Sequence, residues 1–449
     1  VPERETIAGL LERYRSGSAS AEGVVAERLA AIRADALVHA MVEVDADGAL
    51  AAARALDAER ASGAAAGALH GVPITVKTSF AVMGLSASVG TSESRVRPVR
   101  DAPSVARLRA AGAVVLGTTN VPPDLDGFFS DSPLGGRTAN PWDPQRTSGG
   151  SSGGAAAAIA AGFSFGDLGS DLGGSIRVPA AFCGVPAHRP SQYTISKRGH
   201  LPWPLDAFVE PPLSAAGPMA RSVEDVLRLF EVLLRDDPEA TTVAPVTLSS
   251  LSGLRVGIWR EEPGAECDPE VDAVLDGFVA ALAAAGCVLV PLAGTPVGAP
   301  DAAELFDRLF SAELAFGSPG GAPLGTVWAD WNAQRRLRSE WARTVADVDV
   351  VIAPAVAVVA PPHGAVQADA RLRARITRWS AMPNLLGVPC AVLPIGLDPL
   401  HHLPVAVQVI APFGHDRDAL AVARLLESAG IAPRLTPPPP SPSPKEAAA

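Results

Sequence analysis

The sequence predicts an α/β fold: a single large domain with a mixed central β-sheet covered by helices on both faces. Three observations carry that expectation. Short apolar, β-branched runs alternate with Ala- and Leu-rich stretches of helical period along the chain, the order that builds largely parallel or mixed sheets buried on both sides. Of 449 residues, 48% are hydrophobic and 19% charged, which suits a chain that encloses a large core and argues against global disorder. No Pro/Ser linker interrupts the alternation before residue 433. One domain over 1–432 is therefore expected rather than three, followed by a Pro-rich and extended or disordered tail, PRLTPPPPSPSPKEAAA, over 433–449.

From the N-terminus, residues 5–34 carry apolar residues at helical spacing, with Ser20 a natural N-cap and Val25, Leu29 and Ile32 on one face. VHAMVEV (38–44) reads as a strand and GALAAARALDAERASG (48–63) as an Ala-rich helix stopped by glycine. GVPITVK (71–77) reads as a buried strand that ends on a lysine. A helix over 102–112 and the strand AVVLG (113–117) follow. In the second half, LRVGIW (254–259), CVLVPL (287–292) and VDVVIAP (348–354) read as strands, and 269–286 as a helix. CAVLPIGL (390–397) and LPVAVQVI (403–410) resemble paired central strands, and DALAVARLLESAG (418–430) a closing helix.

A net charge of −11 argues against non-specific binding of nucleic acid or an anionic membrane. The first residues, VPERETIAGLLERYRSG, are charged where a secretory signal is apolar, and no run approaches the ~18 apolar residues of a membrane span. A cytoplasmic protein is expected, as a monomer or homodimer. Cys183, Cys267, Cys287 and Cys390 are scattered without a C-x-x-C, so they read as buried thiols rather than a disulfide framework or a zinc site. No nucleotide-binding glycine motif follows a strand. Neither metal nor cofactor is expected.

Two Gly/Ser clusters stand apart: SGGSSGG (148–154) and GSDLGGS (169–175). Flexible linkers have polar flanks, yet these run into AAAAIAAGFSFG and IRVPAAFCGV, both apolar. Glycines in a buried setting allow close backbone approach, and successive N–H groups in such turns converge on an anion or oxyanion. A serine beside such a turn is a candidate nucleophile and needs a base. None of the eight histidines sits in a recognisable triad signature, so a Ser-His-Asp arrangement through His188 or His200 is a minor alternative. Only three of 37 basic residues are lysines, Lys77, Lys197 and Lys445. Arginine keeps its proton in proteins whereas a buried lysine releases it. Two readings of Lys77 stand: a strand-end lysine reaching toward solvent, or a base.

LHGVPITVK (69–77), GGRTANPWDPQRTSGGSSGGAAAAIAAG (135–162) and GSDLGGSIRVPAAFCGV (169–185) resemble the lysine strand, the Gly/Ser signature and the nucleophile segment of the amidase signature family of serine hydrolases. GPMARSVEDV (217–226), NLLGVP (384–389) and LPVAVQVIAPFGHDRDAL (403–420) are similar to its later landmarks, so the resemblance spans roughly residues 5–430. It implies Lys77 as base, Ser151 as bridging serine after a cis Gly150–Ser151 peptide, and Ser175 as nucleophile. It further implies an oxyanion hole from the N–H groups of Leu172, Gly173, Gly174 and Ser175. Ser152, Ser170, Asp171 and Arg177 would support the turn, although charges in such a segment are also read as surface residues. Phe128, Phe129 and Trp203 are pocket candidates, each equally readable as core packing.

The chain departs from the family at Thr78, where aspartate is frequent, at Ser170, where threonine is usual, and at PAHRPSQYTIS (186–196), where GLKPT is common. The loop 192–212 is aromatic and proline-rich, a candidate pocket wall or lid. The resemblance implies a hydrolase of small uncharged amides, with carbamates (urethanes) chemically adjacent, acting through an acyl- or carbamoyl-enzyme. Two alternatives are a glutaminase subunit of a tRNA-dependent amidotransferase and a non-catalytic binding protein on the same fold.

Overall fold

The computed structural model describes residues 5–292, 299–315 and 323–438. The Pro-rich tail expected over 433–449 lies outside them from residue 439 onward. Among the described residues eleven strands form one mixed sheet. In chain order they are β1 (Met41–Val44), β2 (Pro73–Lys77), β3 (Val114–Thr119), β4 (Gly166–Asp171), β5 (Ala187–Arg189), β6 (Ala215–Ala220), β7 (Arg255–Ile258), β8 (Val288–Pro291), β9 (Val350–Pro354), β10 (Cys390–Leu397) and β11 (Pro404–Ile410). Across the sheet the order is β1-β3-β2-β4-β6-β5-β10-β11-β9-β7-β8. The pairings of β2 with β3 and β4, and of β7 with β8 and β9, are parallel. The centre, from β4 through β6, β5, β10 and β11 to β9, is antiparallel.

This arrangement explains the burial of β2. A strand with parallel neighbours on both edges carries helices on both faces, and all five residues of PITVK are buried, Lys77 at 0% exposure. The register pairs Thr75 with Asp167 and Val76 with Leu168, which brings the end of β2 level with the last residues of β4. Most expected elements are present: Ala46–Ala61 is a helix, β10 and β11 are antiparallel neighbours, and Asp416–Ser428 closes the fold. The stretch 5–34 divides into helices Ile7–Arg15 and Ala21–Ala34, and Ser20 caps the second by accepting from the Gly23 N–H at 3.0 Å. Val25 and Leu29 are buried and Ile32 is half-buried.

Four helices position the site: α1 (Gly153–Ala161), α2 (Arg177–Cys183), α3 (Ala299–Leu314) and α4 (Ala370–Leu386). In α1, residues 153–160 are all buried. Small side chains let its first turn reach the sheet edge: a Cβ on Gly154 would lie 2.3 Å from Asn120 N and 2.7 Å from Ala40 O. Among the described residues no helix is long and apolar enough to cross a membrane.

Candidate active site

The Gly/Ser turn before α1 and the turn between β4 and α2 face each other above the end of β2. The Ser152 N–H donates to the Ser175 carbonyl at 3.1 Å, and Ser152 Oγ donates to the Ser170 carbonyl at 3.3 Å. Ser152 therefore staples one turn to the other. The Gly150–Ser151 peptide is cis. Lys77 Nζ lies 2.8 Å from Ser151 Oγ and 3.0 Å from Ser170 Oγ. Ser151, Ser170 and Ser175 all line one cleft of about 150 Å³.

Burial dominates the electrostatics of Lys77. Removing an ammonium from water pushes its pKa down, here from 10.5 to about 7, while the carboxylates of Asp171 and Asp167 pull the other way. At neutral pH a substantial share of Lys77 is the free amine, a base with a lone pair. The strand-end alternative, a lysine reaching outward, is not what the chain does: the side chain is enclosed by its own sheet. Asp167 is itself raised to about 6, chiefly by burial, with hydrogen bonds from Thr75 and Thr119 and the charge of Lys77 opposing.

Asp171 and Arg177 are no surface charges. Both side chains are 0% exposed and pair at two points, 2.9 Å (Nη2 to Oδ1) and 3.0 Å (Nε to Oδ2). Burial alone would raise the Asp171 carboxyl, but the charge and hydrogen bonds of Arg177 hold it well below the usual carboxylate range. The same carboxylate accepts from the N–H groups of Gly174 at 2.8 Å and Ile176 at 3.1 Å. This corrects one sequence expectation. The Gly174 N–H is committed to Asp171, and across that peptide the Gly173 carbonyl accepts from Ser380 Oγ at 2.7 Å. With both ends of the peptide held, Gly174 is not a free oxyanion donor. Leu172, Gly173 and Ser175 line the cleft and stay the candidate donors.

Of the pocket candidates, Phe128 and Trp203 line the cleft and Phe129 does not. The Phe129 ring folds against Gly127, and its backbone N–H and carbonyl crowd Gly150, so its part is to shape the turn. Phe306, Phe310 and Leu314 of α3 and Thr377 of α4 complete a largely apolar wall, and Arg373 of α4 pairs with Asp126 at the rim. A larger cavity of about 660 Å³ lies along Leu309, Ala312 and Glu313 of α3, with Trp328, Trp331 and Tyr193. Neither the lysine nor any of the serines lines it, and chemistry rather than size identifies the smaller cleft.

Sequence reasoning missed several contributors. Ser380 and Asn384 of α4 and Gln408 of β11 surround Arg177: its guanidinium donates to the Ser380 carbonyl at 2.8 Å, to Gln408 Oε1 at 3.2 Å and to Asn384 Oδ1. Asn384 and Gln408 sit in the landmark stretches NLLGVP and LPVAVQVI, so the signal was visible without its purpose. The minor histidine alternative is not formed. His188 Nε2 lies 3.0 Å from Asp416, but Ser191, not a candidate nucleophile, shares that carboxylate. His200 does line the cleft, yet its partners are the hydroxyls of Ser170 and Ser79 and no carboxylate.

Comparison with known proteins agrees with the geometry. The Amidase family pattern matches residues 24–312 and 325–420. A glutamyl-tRNA(Gln) amidotransferase subunit from Salinispora arenicola is 33% identical over 96% of this chain and 97% of that one; its counterpart in Oleidesulfovibrio alaskensis is 31% identical over 94% and 96%. Among solved structures, a chain of the vestigial protein complex linked to the origins of an s-triazine catabolic enzyme superposes with a TM-score of 0.84 at 29% identity, covering 96% of this chain and 100% of that chain. The substrate complex of 6-aminohexanoate cyclic dimer hydrolase gives 0.80 at 27% identity, covering 95% and 97%. With the family pattern spanning most of its length and the buried lysine bonded to two serines that line the cleft, this chain belongs to the amidase family, the amidase signature hydrolases.

Proposed function

We propose that the protein hydrolyses the C–N bond of small uncharged amides, and cleaves carbamates at the bond between the carbonyl carbon and the alkoxy oxygen, with Ser175 as nucleophile, Ser151 as proton bridge and Lys77 as base. The observation that carries this reading is the 2.8 Å contact between a fully buried Lys77 amine and Ser151 Oγ at the floor of the cleft that Ser175 enters. Neutral Lys77 takes the Ser151 proton while Ser151 takes that of Ser175, whose oxygen bonds to the substrate carbonyl carbon. The carbonyl oxygen becomes an oxyanion before the N–H groups of Leu172, Gly173 and Ser175, each such donor supplying about 3–4 kcal/mol. The proton returns through Ser151 to the departing amine, the C–N bond breaks, and water then clears the acyl-enzyme. With a carbamate the same attack expels the alcohol, and water releases a carbamic acid that falls to amine and carbon dioxide. The apolar lining from Phe128, Trp203, Phe306 and Phe310 favours an aryl or alkyl substituent.

Treatment with phenylmethanesulfonyl fluoride tests the nucleophile: intact and peptide mass spectra are expected to place one sulfonyl group on Ser175, and none in Ser175→Ala. Labelling elsewhere would refute the assignment. Rates on an anilide and an aryl carbamate then rank the two bond types.

A second reading, a partner-dependent glutaminase, draws on the names of the curated relatives. It predicts ammonia release from glutamine only when the other components of the amidotransferase are added.

A further inference from the structure

Ser170 Oγ lies between two nitrogens, 3.0 Å from Lys77 Nζ and 2.8 Å from His200 Nε2. Ser79 Oγ meets the same imidazole nitrogen at 2.9 Å. The four side chains are enclosed, at 0% exposure for Lys77 and Ser79, 1% for His200 and 5% for Ser170. The ring is held in place by Phe80, edge-on at 4.6 Å, and by Trp203 at 5.3 Å. His200 does not serve as a triad base, and the Lys77–Ser151–Ser175 relay gives it no task.

A hydroxyl has a single proton to give. In one arrangement Ser170 gives it to Lys77, which occupies the amine's lone pair and leaves the lysine able only to donate to Ser151. In the other, Ser170 gives its proton to His200 Nε2 and accepts an N–H from Lys77, and the lone pair stays directed at Ser151. Once Lys77 has taken the relay proton it is an ammonium with no lone pair, so Ser170 must accept from it and send its own proton elsewhere. The working base and the charged intermediate therefore call for the same orientation of Ser170, and both need an unprotonated Nε2 opposite.

We propose that His200 is a positioning residue of the relay: its Nε2 accepts the Ser170 hydroxyl proton, which turns the Ser170 oxygen toward Lys77 and reserves the lysine's lone pair for Ser151. The inference rests on the function proposed above. Nδ1, buried and without a protein partner among the described residues, then carries the ring's proton. The charged groups around the pair suit a neutral ring. Burial and the positive charges of Lys77 on β2 and Lys197 on the same loop keep His200 well below its ordinary 6.5. The carboxylates of Asp167 and Asp171 on β4 act on Lys77. From α3, Glu313 acts on Lys197, and its backbone carbonyl accepts from Trp203 Nε1 at 3.1 Å.

A double-mutant cycle separates positioning from packing. In the wild type, His200→Phe is expected to slow sulfonylation by phenylmethanesulfonyl fluoride, and turnover of an anilide, between about 10- and 100-fold. The acid limb of the pH–rate curve should move to lower pH, because Ser170 then stabilises the free amine. His200→Gln, whose carbonyl oxygen accepts the same proton, should recover part of the rate. In a Ser170→Ala background the same substitutions should matter less than about threefold. Equal losses in both backgrounds, or an unmoved acid limb, would assign His200 to packing and overturn the proposal. If His200→Phe does not fold, His200→Leu, which likewise has no acceptor, completes the cycle. Independently of activity, long-range 1H–15N spectra of histidine-labelled enzyme, assigned with His200→Gln, should show His200 as the Nδ1–H tautomer; an Nε2–H signal overturns it. Failure of the underlying function would look different: Ser175→Ala would still label and turn over.

Discussion

Asp171 and Arg177 meet at two points, 2.9 and 3.0 Å apart, with neither side chain touching solvent. The pair brackets the turn that bears Ser175, and the Asp171 carboxylate also gathers the N–H groups of Gly174 and Ile176. One ion pair thus sets the direction of the two peptides that flank the Gly174–Ser175 peptide of the proposed nucleophile. Asn384 and Gln408 tie the same guanidinium to α4 and β11, so the turn is fixed to both the helical layer and the sheet.

Removing one partner of such a pair leaves the other charge buried. Arg177→Met should therefore destabilise the fold by about 3–5 kcal/mol, read as a drop in the urea midpoint at constant slope. Asp171→Asn likewise leaves the Arg177 charge buried without its counter-ion, and the amide offers one acceptor oxygen where the carboxylate has two, so the N–H groups of Gly174 and Ile176 cannot both keep their partner and the turn loosens. Wild-type stability in Arg177→Met would mean that this pair does not organise the nucleophile turn.

In the proposed relay, Lys77 carries the pH dependence of activity. Its folded pKa of about 7 means that the base is protonated and inactive below that value and available above it. The rate of a slow anilide substrate should rise through an acid limb centred near 7 and level off above. Lys77→Met should lose about 10²–10⁴-fold and show no limb in that range. A wild-type limb near 4–5 would point to a carboxylate as the titrating base.

Gly150 tests sterics without touching a reacting group. A Cβ there would lie 2.2 Å from the Phe129 carbonyl oxygen and 2.5 Å from that of Gly127. Both are backbone atoms and have no rotamer to escape into, so Gly150→Ala must displace the turn and Ser151 with it. Shifts of about 1 Å at a reacting group cost roughly 10²-fold in rate, and at least that loss is expected in kcat. Unimpaired activity, with the substitution verified by mass, would show that the turn yields.

How far the sequence discloses this site depends on which physical signal each part leaves. β2 was legible because PITVK is apolar, β-branched and short, and Lys77 stood out in a chain that otherwise uses arginine. β4 and β6 were not, since GDLGSD and AAGPMA are made largely of Gly, Asp, Ala and Pro, residues poor in β-propensity. Their strand conformation comes from neighbours: β4 pairs with β2 and β6, and Gly166 and Gly169 are small where Leu229 and Met219 press in. The serines were found through the family resemblance, while the glycines around them explained only that the backbone runs close. The roles of His200 and Ser380 depend on contacts between segments 30 and 207 residues apart, and no local pattern encodes those.

Burial of Lys77 also has a consequence for stability. Its pKa is about 7 in the folded chain and about 10.4 when unfolded. Between those values the unfolded chain binds more protons than the native one, so stability rises with pH across that window. Below about 7 both states are protonated and the cost of the buried ammonium is present in full. Lys77→Met lacks this group and its slope while sharing every other titrating residue. The difference in unfolding free energy between wild type and variant should shift in favour of the wild type by about 1.4 kcal/mol per pH unit at most, measured in urea at pH values between about 7.5 and 9.5. Parallel stability curves for the two proteins would mean that Lys77 stays charged in the native state, and a charged Lys77 has no lone pair with which to take the Ser151 proton.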